Sequence, residues 1–254
     1  MIRGLYTAVS GLISQEAKQD VITNNIANAN TTGYKSDSIA LKGFKEVLLE
    51  NYDGGTAKKP KKQQLGTLSL GSSIDETKTF FTQGLLQESS SNTDFAIEGR
   101  GFFTVEKEGK EYYTRDGSFH VNTEGFLVNS TGQRVIGINS FTGEKGSIYI
   151  GNGKISQGNN GNILIDEIPA YRLNTVDFQN YDGLAKVGDN LYEGAGAFNS
   201  NANVKQRYLE KSNVNVVNEM VEMMTVMRNF ETNQKIVQIM DESLGKAANE
   251  VGKL

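Results

Sequence analysis

The stretch that decides the fold is LEKSNVNVVNEMVEMMTVMRNFETNQKIVQIMDESLGKAANEVGKL, residues 209–254. Its apolar and small residues recur at spacings of four and three, which is typical of a long helix with a narrow apolar stripe of the coiled-coil kind. The stripe consists of Val216, Met220, Met223, Met227, Phe230, Val237, Leu244, Ala248 and Val251. A helix of about 40 residues would be ~60 Å long, and its stripe needs a partner. Ser212 or Asn213 is the predicted N-cap.

The N-terminus supplies a candidate partner for that stripe. Leu5, Val9 and Ile13 follow helical spacing, and the pattern continues to Val21. It ends in NNIANANTTGYK, residues 24–35. The simpler interpretation is a polar helix end followed by a loop. The alternative is that these short amides form hydrogen bonds between subunits.

Composition excludes several classes of protein. The chain has 254 residues and a formal charge of -4, which argues against a nucleic-acid surface over its whole length. It contains no Cys and one His, so disulfide frameworks and most nucleophilic or metal sites are excluded. It has no apolar stretch of about 18 residues, so we expect no membrane span. Residues 5–13 are too short and too polar to predict a cleavable signal peptide.

The segment between the N-terminal helix and residue 81 has mixed character. Residues 36–50 predict a short amphipathic piece. A glycine- and lysine-containing linker, with KKPKK at residues 58–62, is predicted over Asn51–Gln64, and the basic run is interpreted as a solvated loop. Thr67–Ser73 and Thr77–Phe81 have β-type composition and predict an extended arm.

The centre of the chain predicts an antiparallel β meander. Glycine-containing turns recur at Glu108-Gly109, Asp116-Gly117, Glu124-Gly125 and Thr131-Gly132. The predicted strands between and after them are Phe102–Val105, Tyr112–Thr114, Phe119–Val121, Phe126–Val128, Val135–Ile138, Ile163–Ile168, Ala170–Leu173 and Leu191–Tyr192. Alternation at Phe119/Val121 and Phe126/Val128 predicts one buried face.

No residue is predicted to be catalytic, to bind a cofactor or to ligate a metal. His120 is the single imidazole, and we interpret it as a surface side chain on a strand. Asp94 is assigned to a turn. A hydrolase with two carboxylates stays formally open, although no pair of acidic residues stands out from the solvated background.

Three groups of motifs carry a resemblance to a known family. The first is Gly4-Leu5-Tyr6 with Gly11 and residues 24–35, and the second is Thr93–Ile97, Gly101-Phe102-Phe103 and Tyr113–Phe119. The third is Leu209-Glu210, Ser212–Asn215 and the pair Arg228 and Glu231. In this order they resemble the bacterial flagellar rod and hook proteins over most of the chain.

The resemblance implies an α+β fold with four segments. Helices within residues 1–35 and 204–254 would pair in a coiled-coil-like inner domain, residues 36–81 would form a linker and arm, and residues 82–203 a central antiparallel β-rich domain. It also implies a structural subunit that polymerises helically into a hollow shaft transmitting torque to the hook. The chain is short for a hook protein, and Leu65–Gly71 loosely resembles an extension of the distal rod protein. A distal rod subunit is therefore favoured, with a proximal one still open.

The implied partners are other copies of this chain, adjacent rod and hook subunits and the flagellar type III export apparatus. The implied location is the flagellar basal body, reached without a cleaved signal peptide. The alternative is an extracellular adhesin or binding module with coiled-coil ends. The predicted assembly interface comprises Leu5, Val9, Ile13, Asn24, Asn25, Asn28, Asn30, Thr32, Tyr34, Met220, Met223, Met227, Phe230, Val237 and Leu244.

Overall fold

The chain divides into two compact units, seen in a computed structural model that describes residues 2–51, 63–151, 153–158, 162–200 and 202–251. The helical unit comprises the described residues of Met1–Ile26, Asp37–Thr79 and Asn215–Leu254. The β unit comprises those of Ala27–Ser36 and Phe80–Val214. These units divide the chain at different residues from the four segments expected from the sequence, because residues 27–36 and 204–214 belong to the β unit.

Two helices dominate the helical unit. Helix α1 spans Ile2–Ala27, and helix α2 spans Val216–Lys246 and continues into a π-helical turn at Ala247–Val251. The predicted N-cap was wrong: Asn215 caps α2, and its side chain accepts from the backbone N–H groups of Val217 and Asn218. Leu209 lies in a strand. The helix is therefore shorter than predicted at its N-terminal end.

Four strands complete the described part of the helical unit. They are β1 (Asp37–Gly43), β2 (Val47–Asn51), β3 (Gln63–Leu68) and β4 (Ser72–Thr79). Strand β1 pairs with β4 and β2 with β3, both antiparallel. The extended arm predicted at 67–81 thus corresponds largely to strands, and the amphipathic piece at 36–50 forms strands as well. Most of the predicted linker, including residues 58–62, lies outside the described residues.

The β unit contains the remaining strands. They are β5 (Leu86–Glu88), β6 (Phe95–Glu98), β7 (Phe102–Lys107), β8 (Lys110–Thr114), β9 (His120–Val121), β10 (Leu127–Val128), β11 (Arg134–Asn139), β12 (Lys145–Ser147), β13 (Ile155–Gln157), β14 (Asn162–Ile165), β15 (Ile168–Leu173), β16 (Thr175–Asp177), β17 (Ala185–Gly188), β18 (Leu191–Glu193), β19 (Phe198–Asn199), β20 (Asn203–Gln206) and β21 (Tyr208–Glu210).

The main sheet of the β unit is antiparallel, and its strand order is β13-β14-β15-β11-β7-β8-β18-β17. The predicted turns at Gly109, Gly125 and Gly132 have positive φ angles, as tight turns require. The meander is interrupted at Asp116-Gly117, which does not form a hairpin, since β8 pairs with β7 and β18. A Cβ on Gly117 would lie 1.6 Å from the carbonyl oxygen of Phe95, so only glycine fits there.

Apolar side chains from many of these strands form the core of the β unit. Phe103, Val105, Leu127 and Val135 are fully buried in its larger cluster, and Phe102 and Tyr192 belong to a second, aromatic cluster. The alternation of apolar residues predicted one buried face at β10, but the successive residues Leu127 and Val128 are both buried. This happens because the strand is covered on both faces.

Candidate assembly surface

Helices α1 and α2 of the helical unit contact each other in antiparallel order. A Cβ on Gly4 would lie 2.6 Å from the terminal methyl of Met240, and one on Gly11 would lie 3.0 Å from the amide nitrogen of Asn233. Further along, Lys18 Nζ lies 2.7 Å from Glu222 Oε1. The small residues of α1 therefore face long side chains of α2.

The row of α2 that faces inward differs from the predicted stripe. The less exposed positions recur at spacings of three and four, and they are Val216, Glu219, Met223, Val226, Phe230, Asn233, Val237, Met240 and Leu244. This row repeats every seven residues, with two inward positions in each repeat. The predicted stripe had the first position of each repeat correct, as at Val216 and Met223, but placed the second one residue too late, as at Met220 instead of Glu219. Met220 and Met227 are consequently exposed, whereas Val226 is buried.

Glu219, a polar member of this row, is held by Asn25 of α1, which in turn is bound to Asp37. The side chain of Asn25 donates to the carbonyl oxygen of Asp37 at 2.8 Å and accepts from its N–H at 3.0 Å. It also hydrogen-bonds Glu219, whose pKa is raised by burial against the opposing effects of Asn25 and Lys18. Asn25 thus fixes the end of α1 to the start of β1.

A second apolar row of α2 points away from α1. It consists of Val217, Met220, Val221, Met224 and Met227, all of which are exposed. The spacing of three and four places these side chains on one face over three turns. Met224 is 52% exposed. On α1, Tyr6 and Ile13 stand two turns apart and are 67% and 56% exposed. Single exposed apolar residues are ordinary, but a continuous row is typical of an interaction surface.

The predicted interface residues fall into three groups. Ile13, Asn24, Asn30, Met220 and Met227 are exposed. Partly buried are Leu5, Val9, Asn28, Thr32, Met223, Phe230, Val237 and Leu244. Asn25 and Tyr34 are buried, so in this conformation they cannot contact a second copy.

Within the β unit, the N-terminal block from residue 27 to 36 is held by side chains of the same chain. The hydroxyl of Thr32 donates to Asp116 Oδ1 at 2.6 Å, and the amide of Asn190 donates to the Thr32 carbonyl oxygen at 2.9 Å. The ammonium of Lys186 lies 4.2 Å from the centroid of the Tyr34 ring. Gly33 adopts φ 67° and approaches the backbone of Arg115 too closely for a side chain.

A buried ionic cluster lies next to this block. We call it the Glu210 cluster, and it consists of Lys35, Arg115 and Glu210, which are at most 2% exposed. Lys35 Nζ donates to Glu210 Oε1, and Arg115 Nη1 lies 3.3 Å from Glu210 Oε2. Burial lowers the pKa of Lys35 against the opposing attraction of Glu210. Two cations and one anion are thus enclosed in the β unit.

These three residues belong to the motifs noted in the sequence, but no role was predicted for them. A usable signal existed for two of them, because Lys35 follows Gly33-Tyr34 and Glu210 follows Tyr208-Leu209, whereas Arg115 stands between Thr114 and Asp116. Charged residues are almost never fully buried unless they are paired. The partner of each could not be found from sequence, since the cluster joins positions 35, 115 and 210.

The remaining predicted features are also resolved. His120 lies exposed on β9, as predicted. Asp94 is buried and accepts a hydrogen bond from the hydroxyl of Ser89 at 2.5 Å. Neither described helix carries an apolar run of the length needed to cross a bilayer. An exposed apolar helix face and a well-packed β unit are typical of a structural protein that acts through contact surfaces.

Comparison with known proteins agrees with that class. Three family models match: Flagella basal body rod protein at residues 5–35, Flagellar hook protein FlgE/F/G D1 domain at residues 96–176, and Flagellar basal body rod FlgEFG protein C-terminal at residues 205–250. These spans coincide with the three groups of motifs noted in the sequence.

Full-length relatives are similar along the whole chain. The flagellar basal-body rod protein FlgG of Bacillus subtilis is 32% identical, with 98% of this chain and 99% of the relative covered. The hook-basal body complex protein FlhO of the same organism is 32% identical over the full length of both. FlgF of Caulobacter vibrioides is 31% identical, again with both chains fully covered. The chain belongs to the flagellar basal-body rod family, and its role is structural rather than enzymatic.

Proposed function

We propose that the chain is a rod subunit that polymerises through its terminal helices into a helical, hollow shaft that transmits torque to the hook. The observation that carries the proposal is the exposed row of α2 from Val217 to Met227. Burying a few hundred Å² of apolar surface at each contact would contribute several kcal/mol, at roughly 25 cal/mol per Å². Repeated head-to-tail contacts of this kind build open helical arrays.

The pairing of α1 with α2 is the second element of the proposal. The inward row of α2 repeats every seven residues, which is the coiled-coil period, and small residues of α1 lie against it. We propose that this pair is the inner domain of the assembled subunit, with arm and outer domain at 36–81 and 82–203. We retain the predicted interface. Its exposed members would contact the neighbouring subunit directly, and Asn25, Thr32 and Tyr34 would support the surface through their contacts inside their own chain.

The proposed partners are other copies of the chain, neighbouring rod and hook subunits, and the type III export apparatus, which would deliver the subunit without a cleaved signal peptide. A distal position in the rod remains our preference. Identity to relatives does not decide it, because FlgG of Bacillus subtilis and FlgF of Caulobacter vibrioides are 32% and 31% identical to this chain. Resemblance around Leu65–Gly71 is what favours the distal rod.

Electron microscopy of the purified chain tests the proposal. We expect tubes or short stacks that lengthen with concentration, or grow on isolated basal-body fragments used as a template. Met224→Glu places a charge in the middle of the exposed row and should abolish growth while leaving helix content unchanged by circular dichroism. Asn229→Glu is the matched control, because Asn229 is exposed on α2 about 140° around the helix from Met224.

Two outcomes would count against polymerisation through this surface. If Met224→Glu forms the same tubes as the unsubstituted chain, the exposed row is not the contact. Closed oligomers whose size does not change with concentration, or with added basal-body fragments, would favour the adhesin alternative.

A further inference from the structure

The carboxylate of Glu210 connects three distant segments of the β unit. Its Oε1 accepts from Lys35 Nζ and from the N–H of Gly84, the latter at 2.9 Å, and its Oε2 faces Arg115. Its backbone carbonyl accepts from the N–H of Gly33 at 2.7 Å. A single residue at the end of β21 therefore holds the N-terminal block, the entry to β5 and the end of β8 together.

The backbone segments around Glu210 approach each other closely. A Cβ on Gly84 would lie 1.9 Å from the carbonyl oxygen of Lys211. A Cβ on Gly33 would lie 2.4 Å from the carbonyl carbon of Arg115. Because these contacts are with backbone atoms, only glycine fits at positions 33 and 84.

The remaining contacts of the two cations are to neutral oxygens. Lys35 Nζ donates to the carbonyl oxygen of Thr82 at 2.8 Å, and Arg115 Nη2 donates to that of Gly99 at 2.8 Å. Arg115 also lies over the ring of Phe102 at 5.3 Å. Without Glu210, two buried cations would repel each other with no anion of the cluster between them, and an unpaired buried charge is strongly destabilising.

The members of this cluster are far apart in sequence. Glu210 lies 175 residues from Lys35 and 95 from Arg115. Contacts between distant positions carry the largest loop-closure cost, and folding domains tend to form them after local pairings. Strands β20 and β21 pair with β6 and β5, so docking of residues 203–213 and closure of the Glu210 cluster are one event.

We propose that the Glu210 cluster forms last in folding of the β unit, so that the unit stays incompletely folded until residues 203–213 dock. This consequence rests on the export in the proposed function: if the chain passes through with its N-terminus first, Lys35 and Arg115 emerge long before Glu210. Because the cluster needs Glu210, the β unit could not be completed while the C-terminal segment is still in transit. The last folding step of the β unit would thus require residues 203–213, near the C-terminus.

Folding kinetics of the full chain test this order. Stopped-flow tyrosine fluorescence at dilute concentration is expected to show that Glu210→Gln unfolds faster by two to three orders of magnitude. Its folding rate should stay within threefold of the original, because a contact made after the transition state affects unfolding alone. Replacing all three charges, in Lys35→Met/Arg115→Leu/Glu210→Met, should return the unfolding rate to within tenfold, since apolar groups of similar size need no partner.

Three results would overturn the proposal. These are an unfolding rate of Glu210→Gln within threefold of the original, a folding rate reduced by the same factor as stability, and an unfolding rate of the triple variant as fast as that of Glu210→Gln. If Glu210→Gln does not fold, the same rates are measured on Glu210→Asp, which keeps the charge and shortens the reach. The measurement needs only the dilute monomer, so its outcome is separate from that of the polymerisation test.

Discussion

The two units of this chain differ in how far they bury their apolar and charged side chains. The β unit buries large aromatic residues and even encloses the three charges of the Glu210 cluster. In the helical unit, the described apolar residues that are buried are Ala8, Ile22 and Val226, while the row from Val217 to Met227 is exposed. The β unit therefore has an extensive core of its own, whereas the helical unit leaves a row of apolar side chains exposed.

The cause of the difference lies in geometry. Sheet strands of the β unit form a core in which apolar residues from many strands find neighbours within the same unit. A pair of helices has one shared seam, and each helix keeps most of its circumference outside it. The apolar residues of α2 occupy more of that circumference than one partner helix can cover. The excess forms the exposed row.

The largest expected effect tests whether the two units are energetically independent. Phe103→Ala removes a fully buried ring from the core of the β unit and should cost about 3–5 kcal/mol of its unfolding free energy. Helix content at low denaturant should change little, because the buried cluster that contains this ring consists of residues of the β unit. Urea unfolding, followed in parallel by near-UV and far-UV circular dichroism, measures both.

Phe141→Ala is the control for that substitution. Phe141 is 75% exposed, so its removal should change stability by less than about 0.5 kcal/mol. If Phe103→Ala instead shifts both signals together by the same amount, the two units unfold as one cooperative body and the comparison between them fails.

A smaller effect concerns a buried charge of the β unit. Burial raises the pKa of Asp116, and hydrogen bonds from Thr32, Ser118 and Ser130 oppose the shift. Between the ordinary pKa of a carboxyl and the raised value, the folded state binds more protons than the unfolded state. The resulting stabilisation is present below the ordinary pKa and is lost as pH rises through the raised one.

Thr32→Val removes the hydroxyl that donates to Asp116 and should cost about 1–3 kcal/mol at neutral pH. The cost should shrink in acid, because protonation of the carboxyl removes the charge that the hydroxyl stabilises. Urea unfolding over a pH series measures this dependence. Thr32→Ser keeps the donor and should follow the original chain at every pH. A cost of Thr32→Val that does not vary with pH would show that Asp116 carries no buried charge.

Sequence reasoning succeeded where one local pattern dominates. The β strands around Gly109 and Gly132 follow from turn chemistry, and both helices follow from apolar spacing. It misplaced the inward row of α2 because methionines at 220, 223, 224 and 227 and valines at 217 and 221 fit two registers equally well. Only contacts with α1, at Gly4 and Gly11, select the true one.

The buried contacts of the candidate site were beyond local patterns for a different reason. Thr32 meets Asp116, 84 positions away, and Lys35 meets Glu210 across 175. Spacing along a chain carries no information about such pairs. The Asn-rich block seemed suited to contacts between subunits, but Asn25 is occupied by Asp37 of its own chain. A polar motif can thus form hydrogen bonds within its own chain as readily as with another subunit.

The smallest expected effect addresses the helical unit alone. Asn215→Ala removes the side chain that accepts from the N–H groups of Val217 and Asn218, and caps of this type contribute about 1 kcal/mol. The loss should appear as faster hydrogen exchange in the first turns of α2, with no change in the β unit. Asn218→Ala, an exposed change in the same turn, is the control and should have little effect. If Asn215→Ala also accelerates exchange at Val105 or Val135, the β unit depends on the start of α2, and its stability is not internal.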